Sequence, residues 1–476
     1  MNRQIRIIGV VSAVMVFALL ANLTYRNVAD QTSLESSQYN TRAREAEFDI
    51  HRGQILAGNT VIADSVISTD GSPYSYQRVY ANGPLYAPVT GFYSYIYSST
   101  RIENSYNALL VGTSSSQWLQ NLIDSMSGRK PQGASVVTTI DPVLQQAAWD
   151  ALSGYQGAIV AMDPHTGAVK AIVSSPSFDP NLLASHDLGA VTAYRDGLLA
   201  DETKPMSDRA TREVYPPGST FKLVLAAAAL EKGYTPDTMI DTPSSIQLPN
   251  SSSVLYNSSD CGNGQVTLAR ALQLSCNTAF ANLGTNLGAE AIRVQAESLG
   301  FDSEHLPELG AATSTFPEKM DPAQLMLSSI GEWDVKASPL QMAMVASAFV
   351  NNGAVPEPYL VEEVRAPDLK VLQSHTPSSS RAVSPGTAQA MRDMMVQVVT
   401  GGTGKPAAIP GVVVGGKSGT TETDPTNPTY AWFVSFALEP DIVVSVFLQR
   451  DLNTPANLWG GADAAPVAKK VLEATR

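Results

Sequence analysis

The chain has 476 residues, 44% of them apolar and 16% charged, with a formal net charge of −13. That length allows two or three domains with a sizeable core, and the composition is globular rather than disordered. The acidic balance, without a basic run or a Gly-rich phosphate loop, argues against a nucleic-acid partner.

The first predicted element is apolar. Residues 7–23, "IIGVVSAVMVFALLANL", are broken only by small residues, Ser12 and Asn22. With flanking residues to Tyr25 they span roughly 28 Å as a helix, close to one hydrocarbon core. Arg3 and Arg6 precede the run, so the positive-inside rule keeps the N-terminus cytoplasmic. The segment reads as an uncleaved single-pass anchor, with a cleaved signal peptide as the alternative; no clear small-x-small site closes it. In either case the bulk of the chain lies outside the cytoplasm, at the cell membrane.

The polar residues 27–45 suggest a helical stalk. From residue 49 to about 110, short apolar runs alternate with Gly and Asn, as strands and turns do. Seven tyrosines stand between Tyr74 and Tyr97. Such a stretch can bind sugar, but a half-buried pleated sheet surface is the commoner reason for it. "GRKPQGAS", residues 128–135, reads as a linker. The expected units are therefore 1–26 (cytoplasmic N-terminus and anchor), 27–135 (a β-rich pedestal) and 136–476.

In the last unit Asp141 caps a helix that starts at Pro142. "GAIVAMDPHTGAVKAIVSS" predicts a hairpin, and "GVVVGGKSGTT", "YAWFVSFAL" and "DIVVSVFLQR" predict three further strands before a closing helix. A mostly helical block, about 180–400, lies between the two strand sets. This order predicts an α+β fold, one sheet covered by helices. There is no internal repeat.

Only Cys261 and Cys276 are available for pairing. In an oxidising compartment a disulfide across so short a loop would contribute about 3 kcal/mol. Two separate buried thiols are the alternative, because sequence does not give their distance. With the histidines His51, His165, His186, His305 and His375 they form no metal-spaced cluster.

The stretch "YPPGSTFKLVLAAAALEKG", residues 215–233, is apolar almost all round, as a buried helix is. Yet Lys222 follows Ser219 by three residues and shares its face. Desolvation and the positive end of the helix dipole both push that amine toward neutrality. A neutral amine beside a hydroxyl is a general base beside a nucleophile. Alone the pair is a weak signal, since a capping serine and a snorkelling lysine look the same. Two further motifs follow. Ser275-Cys276-Asn277 lies between two helical patterns, and Lys417-Ser418-Gly419-Thr420 lies on a candidate strand. S-x-x-K, an S-x-N triplet and K-T-G together are the signature of class A β-lactamases and penicillin-binding proteins.

With these motifs and segments such as "DRATREVYPPGSTFK" and "HRGQILAGNTVIADS", the chain resembles the class B penicillin-binding proteins over nearly its whole length, specifically the actinobacterial penicillin-binding protein A group. The resemblance implies a serine β-lactamase/transpeptidase-like fold, with an antiparallel sheet between helical layers, a pedestal of dimerisation type and one anchor helix. It implies a peptidoglycan D,D-transpeptidase in growth or division. Ser219 attacks the penultimate D-Ala carbonyl of a donor stem peptide ending in D-Ala-D-Ala, and Lys222 takes the proton. The N–H groups of Ser219 and Thr420 hold the oxyanion, and Ser275 with Lys417 passes a proton to the leaving D-Ala. Asn277 binds the donor amide; Lys417, Ser418, Gly419 and Thr420 receive its carboxylate. An acceptor amine completes the cross-link. β-Lactams would acylate Ser219. Neither a metal nor an organic cofactor is needed. A membrane glycan polymerase of the shape or division type is the expected partner, since no polymerising domain is recognised.

The sequence departs from the family pattern twice. Ser418 replaces a usual threonine, keeping the hydroxyl. Glu332-Trp333 replaces a usual Gln-Gly, which bears on loop conformation. A hydrolase using the same acylation and a non-catalytic β-lactam sensor are the competing classes. The intact motifs disfavour the sensor. No glutamate is recognisable in the sequence as the water-activating base of a β-lactamase. Residues 420–432, "TTETDPTNPTYAW", are expected to form a mobile loop. The five histidines are assigned no role, and Asp163, Asp179 and Asp208 are read as turn residues or structural partners.

Overall fold

The computed structural model describes residues 2–29, 41–115, 117, 132–421, 430–449 and 458–476. Most of the expected stalk, half of the expected linker and the centre of the loop after Thr421 lie outside the described residues.

Five strands carry the larger unit, in the order Val414–Thr421, Tyr430–Ala437, Ile442–Gln449, Gln156–Met162, Val169–Ser175, and every neighbour pair is antiparallel. Their side chains are buried almost continuously, because both faces are covered. Alternate residues serve opposite layers. Ala158, Val160, Trp432, Val434 and Phe447 pack with Leu223, Leu225, Met342 and Phe349. Ile159, Ala161, Phe433 and Val446 pack with Leu144, Ala148, Val467 and Val471. The second layer is thus built from the helix Pro142–Ala151, capped by Asp141 as expected, and the closing helix Ala465–Glu473. The helix Lys222–Glu231 belongs to the first layer and is buried all round from Lys222 to Ala229. Between the strand sets, helices dominate, but short ladders such as Met239–Thr242 with Gly264–Thr267 interrupt them.

A second sheet has six strands in the order Val371–Ser374, Val361–Arg365, Ser135–Thr138, Ile55–Ala57, Thr60–Ile67, Tyr76–Tyr80. It draws on residues more than 200 apart in sequence. The expected boundary at 135/136 falls inside one of its strands, Ser135–Thr138. The tyrosines are not one sheet face. They divide among the strand Tyr76–Tyr80, the helix Gly83–Thr90, an aromatic cluster in which Tyr74, Tyr93 and Tyr95 surround Phe48, and Tyr97, which packs on the cluster of Phe92 and Phe178. Beneath them Arg52 and Arg78 grip the fully buried Glu103 at 2.7 and 2.6 Å. Arg101 reaches out of this unit to the buried Asp208 at 2.7 Å.

The N-terminal helix Asn2–Ala29 leaves Ile7, Ile8, Val10, Phe17 and Leu20 exposed. Among the described residues no helix is long and apolar enough to cross a membrane.

Candidate active site

The segment around Ser219 is not helical from Pro216 onward. Gly218–Phe221 forms a 3₁₀ turn, and the α-helix begins only at Lys222. Gly218 has φ +53, a conformation that costs a side-chain-bearing residue ~1–2 kcal/mol. Its N–H donates to the Gly331 carbonyl at 2.9 Å. The edge strand Val414–Thr421 runs alongside: a Cβ on Gly419 would lie 2.8 Å from the Pro217 oxygen. The glycine is therefore needed for close approach of the two segments. Trp432 Nε1, on the next strand, donates to the Pro216 carbonyl at 3.0 Å and closes the contact.

The third wall is the turn between the helices Leu268–Leu274 and Asn277–Leu287. Ser275 sits there with φ +61, in the left-handed region, and Cys276 is bonded to Cys261 with Cα atoms 5.9 Å apart. The disulfide holds the turn that presents Ser275 and Asn277.

These walls bring the motif residues together. Lys222 and Lys417 are both fully buried. Lys222 Nζ bonds the Ser275 carbonyl at 2.9 Å, Asn277 Oδ1 at 2.6 Å and Ser275 Oγ at 3.4 Å, rather than Ser219. Lys417 Nζ bonds the same Ser275 Oγ at 2.8 Å and the Ser418 carbonyl at 2.8 Å. Burial first, and then the Lys417 charge, push Lys222 well below the usual lysine range; the Glu332 carboxylate opposes them. Burial lowers Lys417 to about 7. Lys222 Nζ thus donates to the Ser275 carbonyl, to Asn277 Oδ1 and, at 3.4 Å, to the Ser275 hydroxyl oxygen, which also accepts from Lys417.

The residues expected to bind substrate have other partners here. Asn277 Nδ2 donates to the Tyr256 carbonyl at 2.9 Å, so both ends of its amide are engaged. Ser418 Oγ pairs with Thr403 Oγ1 at 2.7 Å, and Thr420 Oγ1 accepts from the Gly460 N–H at 3.1 Å. Among the described residues no group of metal-ligating side chains is found. The histidines lie in other surroundings: His186 bonds Asp70 and Ser72, His305 bonds Glu357, His165 bonds Asp441, His51 meets Tyr76 edge-on, and His375 stacks on Tyr359. Asp163 and Asp179 accept backbone N–H bonds in a turn and a helix cap.

Residues 157–473 match the family described as penicillin binding protein transpeptidase domain, two thirds of the chain. The chain belongs to this family of penicillin-binding protein transpeptidases. Residues 52–136 match the penicillin binding protein A dimerisation domain. This penicillin-binding protein is 41% identical to the peptidoglycan D,D-transpeptidase PbpA of Mycolicibacterium smegmatis, over 100% of this chain and 99% of the relative. It is 40% identical to PbpA of Mycobacterium tuberculosis, with the same shares covered. The solved structure of penicillin-binding protein A from M. tuberculosis as a ceftriaxone acyl-enzyme superposes with a TM-score of 0.86 at 39% identity, covering 90% of this chain and 99% of that one. A D,D-transpeptidase domain from Eggerthella lenta gives 0.76 at 34%, again covering 90% and 99%.

Sequence reasoning did not assign three residues of this penicillin-binding protein's cleft. Thr403 and Tyr256 have no motif of their own and reach the site through long-range contacts. Glu332 was visible only as a departure from the family pattern, yet its carboxylate acts on Lys222.

Proposed function

We propose that the chain is a serine D,D-transpeptidase that cross-links peptidoglycan stem peptides and is acylated by β-lactams. The observation that carries this reading is one hydroxyl, Ser275 Oγ, shared by two fully buried lysines beside a serine on a tight turn. Buried amines driven toward neutrality suit proton transfer near neutral pH, as a solvated lysine would not.

In this reading Ser219 Oγ attacks the penultimate D-Ala carbonyl, and its proton passes to Lys222. The N–H groups of Ser219 and Thr420 stabilise the oxyanion. The C–N bond to the terminal D-Ala breaks, and the leaving nitrogen takes a proton relayed through Ser275 and Lys417. Asn277 holds the donor amide; Lys417, Ser418 and Thr420 hold its carboxylate; Gly419 lets the strand come close. An acceptor amine then attacks the ester, forming the cross-link and returning a proton to Ser219. Fluorescent penicillin is expected to label the ectodomain covalently, and Ser219→Ala to abolish labelling. Undiminished labelling of Ser219→Ala would overturn the assignment.

The helix Asn2–Ala29 is the proposed single-pass membrane anchor and contact for a glycan polymerase. The support is its exposed apolar side chains, together with the continuation of the run through Leu23. Removing residues 1–29 should release the protein from membranes and from the polymerase. Retention in the membrane pellet, or undiminished co-purification, would remove this part of the reading.

A further inference from the structure

We propose that the cleft walled by Glu332 and Trp333 is the subsite for the acceptor, a peptide that presents a primary ammonium group. This deepens the transpeptidase reading and rests on it.

The first argument is position. The cleft, about 500 Å³, is lined by Val254, Leu255, Asp321, Leu327, Glu332 and Trp333 among others. One wall is the strand Val254–Tyr256, and the carbonyl of Tyr256 accepts from Asn277. The opposite wall is the turn that begins at Gly331, whose carbonyl accepts from Gly218, one residue before Ser219. That turn packs tightly on the nucleophile: a Cβ on Gly331 would stand 2.0 Å from the Gly218 oxygen. The cleft therefore lies between two segments that each bond to a motif-bearing stretch, one at Asn277 and one at Gly218.

The second argument is charge. The lining holds Asp321 and Glu332 and no Lys, Arg or His among the described residues. Asp321 is occupied as a helix cap, in a reciprocal box with Gln324. Glu332 lies close enough to Lys222 to act on it electrostatically. A donor peptide that ends in a carboxylate is repelled here and attracted to Lys417; an ammonium-bearing peptide has the opposite preference. The charge of the lining thus favours an ammonium-bearing peptide over one ending in a carboxylate in this cleft.

The third argument is Trp333. It has φ +59 and is 49% exposed. A large aromatic residue in the left-handed region costs ~1–2 kcal/mol, and here about half of its surface still stays exposed. What the arrangement provides is an indole at the cleft mouth, able to hold a cation over its ring.

The test uses the full chain, a thioester donor that forms the acyl-enzyme, and two acceptors. One is a stem tripeptide with a free lysine side-chain amine; the other is hydroxylamine, neutral at pH 7. The ratio of transfer to hydrolysis is measured against acceptor concentration, so it does not depend on the acylation rate. Glu332→Gln should raise the half-saturating concentration of the lysine acceptor roughly tenfold and leave that of hydroxylamine within about twofold. Trp333→Gly, which relieves the backbone, should keep its thermal stability and raise the lysine value about threefold. An unchanged lysine value in both variants, or equal shifts for both acceptors, overturns the subsite. Loss of hydrolysis with intact amine transfer overturns it too, assigning Glu332 to water activation. If no acyl-enzyme mass is detected in the parent chain, the transpeptidase reading fails and takes the subsite with it.

Discussion

In the N-terminal unit Arg52 and Arg78 close on Glu103, and in the cleft Lys222 and Lys417 close on Ser275. Both clusters bury two cationic side chains almost completely. They differ in what lies between the cations. Burial raises Glu103, but Arg78 and Arg52 outweigh it and hold the carboxyl below its usual range; burial likewise lowers Arg52, and Glu103 more than restores it. Glu103 and Arg52 therefore keep their charges. Between the lysines stands a hydroxyl, the Glu332 carboxylate does not outweigh burial at Lys222, and both amines fall toward neutrality. A buried cation bonded directly to a carboxylate builds structure, whereas one bonded only to neutral groups becomes a proton carrier.

That contrast can be broken by exchanging the two outcomes. Lys222→Met should cut penicillin acylation by roughly 10²–10⁴-fold while unfolding stability is kept. Glu103→Gln should do the reverse, costing about 3–5 kcal/mol in urea unfolding with acylation of the folded protein intact. If Lys222→Met unfolded the chain, or Glu103→Gln left stability unchanged, the two clusters would not differ in kind.

A smaller effect sharpens the comparison through pH. Lys417 has its folded value near 7 against an ordinary 10.5, so between these the unfolded chain holds a proton that the folded chain lacks. Stability must then rise with pH across that window, by at most about 1.4 kcal/mol per unit from this group. Lys417→Met should flatten the slope of unfolding free energy measured between pH 7 and 9.5. An identical slope in the variant would mean that Lys417 keeps its proton when folded.

The nucleophile turn and the two later motifs were legible because each is a short spacing with a chemical reason. Ser219 and Lys222 share a turn, and Lys417 sits among glycines that allow close approach. The partners that Lys222 takes were not legible: spacing places side chains on a face but does not rank distant partners, and Asn277 Oδ1 at 2.6 Å is 55 residues away. Whether Cys261 and Cys276 pair depends on a backbone path that spacing leaves open. Alternation announced the strands, but nothing local announces that Val361–Arg365 pairs with Ser135–Thr138. Glu332 follows the same rule, since its importance arises from Gly331 meeting Gly218.

That last strand pairing has a consequence in time. The sheet of the N-terminal unit needs Ile55–Ala57 beside Ser135–Thr138 in parallel, and the latter beside Val361–Arg365. A growing chain makes the first three strands by residue 80 and then waits, with an open edge, until residue 374 has been synthesised. The part of the protein that is made first is therefore among the last to be finished. A chain cut at residue 135 would leave that edge permanently bare, an invitation to aggregate.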